Sequence, residues 1–158
     1  ALIINKKNTA GATMHADCVP VFVMDKKNKI ISVSHAGWRG VVAKLPEKII
    51  KKFKNDFGSK PEDILAAIGP HMMKCCFEVQ QDVADIFNKH FTGCIEYRND
   101  KIYADMQKAI LIQMYEQEIP APTITCADLC TFCRKDLYFS HRRDKGKTGA
   151  MCSVAGLK

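Results

Sequence analysis

Two hydrophobic rhythms run along this chain, one of strand type and one with the 3.6-residue helical period. Their order predicts its elements. Val19–Met24 is an apolar run of strand length, broken only by Pro20 near its start. The polar turn Asp25–Lys29 follows, and Ile30–Ser34 reads as a partner strand. Beyond His35, Val41, Val42, Leu45, Ile49, Ile50 and Phe53 recur at helical spacing. They predict one helix of about four turns, ending at Gly58, a residue suited to the left-handed cap. Ile64–Ile68 reads as a strand, Val79–Phe91 as a helix and Cys94–Tyr97 as a short strand. Asp105 is placed to cap a helix that runs to Glu118 and stops before Pro120. Thr123–Thr125, Leu137–Ser140 and Ala150–Leu157 read as further strands, with a turn at Gly146–Thr148. Strands alternate with helices, but hairpins intervene. The fold class this predicts is α/β, with mixed β-sheets and flanking helices, in one domain over residues 1–158.

Composition agrees with a folded interior: 47% of the 158 residues are apolar and 26% charged. No apolar run approaches the roughly 18 residues needed to span a bilayer, and the N-terminus carries no secretory pattern. A cytoplasmic setting is therefore expected, and the eight cysteines read as reduced thiols. The formal charge of +7 favours anionic ligands. Lys44, Lys48, Lys51, Lys52 and Lys54 supply much of it from the polar face of the predicted helix, and no nucleic-acid motif accompanies them, so a nucleic-acid partner is not expected.

The candidate chemistry starts at Cys18 and His35. Asp17-Cys18 opens the first strand of the predicted hairpin, and His35 lies just past the end of the second. The hairpin would make the two side chains neighbours. A thiolate and an imidazole together bind zinc, or act as nucleophile and base, or merely pack. The segment Gly37-Trp38-Arg39-Gly40 leads into the helix, where backbone N–H groups and Arg39 suit an anion. In Arg142-Arg143-Asp144 one arginine is expected to pair with Asp144 while the other reaches an anionic substrate. A second zinc candidate joins Cys126, Cys130 and Cys133 with His141. His71 and His90 read as core or surface histidines.

The paired segments ADCVPVFVMD and HAGWRG resemble the signature of the YfiH-type, laccase-domain family. The resemblance continues at IGPHMMKCCFEV, at Cys130-Thr131 and at YFSHRRDKGKTGAMCSVAGL, and so covers nearly the whole chain. It implies a mixed-sheet α/β fold of the type found in deamidating cysteine toxins. It implies phosphorolysis of purine nucleosides (adenosine, inosine and methylthioadenosine) with adenosine deamination, and a zinc ion held by two histidines and one cysteine. Cys18 and His35 match two of these ligands. The third would lie upstream, so the resemblance also implies that an N-terminal segment is missing. His15 is the only histidine before Cys18, and in an extended stretch residues three apart point to opposite faces, which makes it a poor substitute. Arg39, Arg142 and Arg143 are the expected substrate-binding residues. The rival readings are a copper polyphenol oxidase, the label long attached to the family, a metal-free cysteine hydrolase or deamidase using Cys18 and His35, and a non-catalytic basic binding domain. Oligomeric state stays open.

Overall fold

The computed structural model describes residues 1–158. Its strands are β1 (Leu2–Ile4), β2 (Thr9–His15), β3 (Val19–Asp25), β4 (Ile30–Ala36), β5 (Ile64–Ile68), β6 (Glu78–Val79), β7 (Ile95–Arg98), β8 (Lys101–Ala104), β9 (Ile124–Cys126) and β10 (Met151–Leu157). The helices are α1 (Trp38–Val42), α2 (Leu45–Phe57), α3 (Gln81–His90) and α4 (Met106–Glu116). The mixed α/β class expected from the sequence is the class observed.

A five-stranded sheet in the order β1-β4-β3-β5-β9 forms the centre, antiparallel except where β5 and β9 run parallel. The β3–β4 hairpin is the predicted one, with Val21 opposite Ser34 and Val23 opposite Ser32. Paired residues share a face, so Val19, Val21 and Val23 join Ile64, Ala66 and Ile68 on the side that α1, α2 and α4 cover. A second ribbon, β2 with β10, packs against β4. β6, β8 and β7 make a small third sheet.

Several expectations need correction. The single helix after His35 is two, because Pro46 has no N–H to give the carbonyl of Val42. The chain breaks at Lys44, which turns left-handed (φ 60°). The break frees polar backbone groups, and buried Gln113 of α4 meets them. Its Nε2 donates to the Val41 carbonyl oxygen at 3.1 Å, and its Oε1 accepts from the Glu47 N–H at 3.4 Å. Leu137–Ser140 is not a strand, since the stretch from Thr131 to Gly146 is turns and irregular chain with no strand partner. Strands β1, β2, β6 and β8 were not anticipated. β1 is a short apolar run of three residues and β2 is mostly small and polar, and the pairing of each is decided by distant partners, β4 for β1 and β10 for β2. Asp105 does cap α4, its carboxylate accepting the Lys108 N–H at 2.9 Å. Gly58 ends α2 at φ 66° as expected.

The β3–β4 turn rests on Asp25, which is fully buried. Its carboxylate accepts the N–H groups of Lys27 and Asn28 at 2.8 and 2.9 Å, and the Asn28 side-chain amide at 2.8 Å. Burial pushes its pKa up, but the nearby Ser59 hydroxyl and these donors together outweigh burial and hold it below the ordinary carboxylate value. Asp25→Ala is expected to lose about 1–3 kcal/mol in urea unfolding at neutral pH. A depressed pKa stabilises the fold above the unfolded value, near about pH 4, and that stabilisation is lost as pH falls through the folded value. The gap between wild type and variant therefore closes below about pH 4. A gap that stays constant into acid would show that the ionised carboxylate is not what holds the turn.

Candidate active site

β2 ends at His15 and β3 starts at Val19, and the chain bends sharply between them. At the bend Asp17 adopts a positive φ of 94°, uncommon for a residue with a side chain. Its side chain and carbonyl hold it there. One carboxylate oxygen accepts the Thr131 hydroxyl at 2.7 Å, and the other accepts the Arg142 N–H at 2.7 Å. The Asp17 carbonyl oxygen accepts the Met72 N–H at 2.9 Å. Three segments distant in sequence thus converge beside Cys18.

His35 is not past the end of its strand but inside β4, opposite Pro20. Its Nδ1 lies 2.8 Å from the Met14 carbonyl oxygen. A carbonyl only accepts, so Nδ1 carries the proton and donates, and in the neutral ring Nε2 keeps the lone pair. This is the arrangement of a metal-ligating histidine. A side-chain carbon at Gly37 would come 3.2 Å from Cys18 Sγ, so the glycine leaves room for the sulfur.

Cys18 and His35 open into one cleft of about 680 Å³, within the usual range of small-molecule sites. His15, Trp38, Arg39, Phe77, His141 and Arg142 also line it. A neighbouring recess of about 310 Å³ shares Trp38, Phe77 and Arg142. The Arg39 guanidinium lies over the Trp38 ring at 4.3 Å. Arg142 donates through Nη1 to the Glu78 carbonyl oxygen at 2.9 Å and keeps its other donors for the cleft. Arg143, expected as a second substrate contact, is committed to the protein. It forks onto Asp144 at 2.9 and 3.0 Å and donates to the carbonyl oxygens of Thr131, Phe132 and Tyr138. The expected division between the two arginines therefore falls with Arg142 in the cleft and Arg143 in the scaffold. α1 is only five residues long, too short for the helix-end anion site that the sequence suggested.

His15 also turns out differently from expectation. The bend at Asp17 cancels the alternation of an extended chain, and His15 lines the same cleft as Cys18. Its Nε2 lies 2.6 Å from Ser153 Oγ, while Nδ1 is buried with no partner. Burial lowers its pKa, and His35 lowers it further. Burial pushes the Cys18 thiol up, and the Asp17 carboxylate adds to this, so the cleft does not preform a nucleophilic thiolate. A thiol, the free Nε2 of His35 and an unpartnered His15 nitrogen form a donor set that fits zinc in kind. His15, Cys18 and His35 do not, however, close to mutual ligand spacing.

The second candidate cluster is rearranged. Cys126 and His141 stand apart from Cys130 and Cys133, and Cys75 and Cys76 take their places. His141 belongs to the cleft, His71 is buried and His90 is exposed at the end of α3. All eight cysteines are free. The sequence reading missed Asp17 and Thr131 as the clamp and Phe77 as a wall. The signals available were their places beside Cys18, beside Cys130 and inside IGPHMMKCCFEV. No helix is long and apolar enough to cross a membrane.

The family described as multi-copper polyphenol oxidoreductase laccase matches residues 1–158. The chain is 34% identical over 158 residues to purine nucleoside phosphorylase YlmD of Bacillus subtilis, covering 98% of this chain and 57% of that protein. It is 35% identical to a purine nucleoside phosphorylase of Clostridium acetobutylicum, covering 97% of this chain and 64% of the relative. Adenosine deaminase RL5, from an unknown prokaryote, is 35% identical over 133 residues, covering 81% of this chain and 50% of its own length. The crystal structure of the hypothetical protein YfiH from Bacillus licheniformis superposes with a TM-score of 0.93 at 32% identity, covering 99% of this chain and 60% of that one. The chain thus spans about three fifths of the length of the first two relatives.

The Asp17 clamp predicts that Thr131→Val, which keeps the shape but removes the hydroxyl, leaves a carboxylate oxygen unpaired in a buried place. The expected cost is about 1–3 kcal/mol in urea unfolding. A loss within experimental error would show that the Asp17–Thr131 bond does not hold the bend.

Proposed function

The chain belongs to the family described as multi-copper polyphenol oxidoreductase laccase, and on that premise we propose that its cleft performs phosphorolysis of purine nucleosides, with adenosine deamination as a second reaction of the same site. The observation that carries the reading is one cleft holding Cys18 and His35 as soft donors, Arg39 and Arg142 as anion donors, and Trp38 and Phe77 as aromatic walls. Relatives named for both activities support it.

Each part has a task. Trp38 and Phe77 offer faces on which a purine ring stacks. Arg39 and Arg142 bind phosphate and aim one of its oxygens at the ribosyl C1′. As that C–O bond forms, the C1′–N9 bond breaks and the purine leaves with the bonding pair. In the deamination, water adds at C6 of adenosine and ammonia leaves. A zinc ion at Cys18 and His35 would supply Lewis acidity there, and copper would compete for the same donors. Asp17 positions Cys18 and Arg142 together, because it bonds the backbone of one and adjoins the other. Eight free cysteines suit a reducing, cytoplasmic setting.

The donor set speaks less for a multi-copper oxidase. The cleft offers three imidazoles, from His15, His35 and His141, few for a multinuclear centre. The metal-free hydrolase reading is weakened by a Cys18 thiol that burial keeps protonated.

The test is an assay of hypoxanthine released from inosine with and without phosphate. Release is expected only with phosphate, together with ribose 1-phosphate in equal amount. Arg142→Ala is expected to lower kcat/KM for phosphate by about a hundredfold, and Cys18→Ala to abolish turnover and lose one bound metal. Phosphate-independent release, or none from zinc-loaded protein, rejects the phosphorylase reading.

A further inference from the structure

We propose that Cys75, Cys76, Cys130 and Cys133 form a second metal site, a closed four-sulfur zinc centre that is structural and separate from the cleft at Cys18. Their sulfur atoms all lie within 4.8 Å of one another. Around one tetrahedral zinc, with bonds of about 2.3 Å, neighbouring sulfurs stand about 3.8 Å apart. Cys75 and Cys133 are 3.8 Å apart and Cys76 and Cys133 3.3 Å, so an ion needs only small adjustments. The closeness of all four sulfurs fits a single ion rather than a multinuclear cluster.

The backbone is also arranged for it. Cys75 and Cys76 lie in the turn between β5 and β6, where the N–H groups of Cys76 and Phe77 both bond the Met73 carbonyl oxygen at 2.9 Å. Cys130 and Cys133 form a C-x2-C turn closed by the Arg134 N–H on the Cys130 carbonyl oxygen at 3.0 Å. His71 and Cys130 form a parallel bridge that sets the two turns side by side. Packing alone does not explain the cluster. A cysteine that serves as a small core residue is buried, whereas Cys75 and Cys133 are exposed.

Four protein sulfurs leave no open coordination position, which marks a structural rather than a catalytic zinc. Its place gives it a task. One turn leads into Phe77, a wall of the cleft, and the other holds Thr131, which clamps Asp17. The ion would tie the wall to the clamp, and its binding displaces the thiol protons.

The test uses the chain carrying Cys18→Ala, so that metal in the cleft is not counted, purified under reducing conditions. Mass spectrometry of metals is expected to find about one zinc per chain. Cys126→Ser, outside the cluster, should keep that zinc, and Cys133→Ser should lose it and lower Tm. Cobalt(II) added to the zinc-stripped Cys18→Ala protein should give the thiolate charge-transfer band and strong d–d absorption of a tetrahedral sulfur site. That measurement decides the matter where Cys133→Ser does not fold. The proposal is overturned by a metal-free Cys18→Ala protein with no cobalt spectrum, by zinc that survives Cys133→Ser, or by a disulfide from Cys133 to Cys75 or Cys76. None of these outcomes depends on whether the cleft turns over inosine.

Discussion

The site depends on one buried carboxylate. Asp17 carries a backbone conformation that a side-chain-bearing residue seldom adopts, and it carries it between two strands that must turn at that place. The hydrogen bonds from Thr131 and from the Arg142 backbone offset that cost. Both come from more than a hundred residues away in the chain. The geometry of Cys18 is therefore set only when the C-terminal third has folded onto the central sheet. The same bonds fix Arg142, so Cys18 and Arg142, both in the cleft, are held by one group.

This dependence explains what could be read from the sequence. The β3–β4 hairpin is local: a short polar turn between two apolar runs fixes its register, and the register brings Cys18 and His35 to one end. The caps at Asp105 and Gly58 are equally local. The failures are non-local. β2 pairs only with β10, from the opposite end of the chain, and with Met14 its one large apolar residue it carries little strand signal by itself. The place of His15 in the cleft is non-local for a related reason, since its direction depends on the bend at Asp17, which in turn depends on Thr131. Cys75 and Cys76 were not linked with Cys130 and Cys133 because the parallel bridge at His71 is invisible in sequence spacing.

The helix break at Lys44 was legible but overlooked. Pro46 cannot continue a helix from α1, and the sequence contains it plainly. What the sequence does not contain is the remedy. Gln113, buried inside α4, bonds the carbonyl of Val41 and the N–H of Glu47 on either side of the break. A polar side chain in an apolar helix face reads as an error until the groups it satisfies are known. Through that contact α4 holds the short helix α1, which presents Trp38 and Arg39 to the cleft.

The name attached to the family and the residues in this cleft point to different chemistry, and the residues decide which reading is proposed. Copper would bind a thiolate and imidazoles tightly whatever the protein's natural reaction. Affinity for copper is thus weak support for oxidation. Removing electrons from a phenol gives two arginines no evident task, whereas the proposed phosphorolysis uses them to hold an anion beside a flat heterocycle. In the proposed reaction phosphate needs its counter-charge and the purine its stacking faces whichever ion occupies the donors, so the roles of these side chains do not turn on the metal's identity.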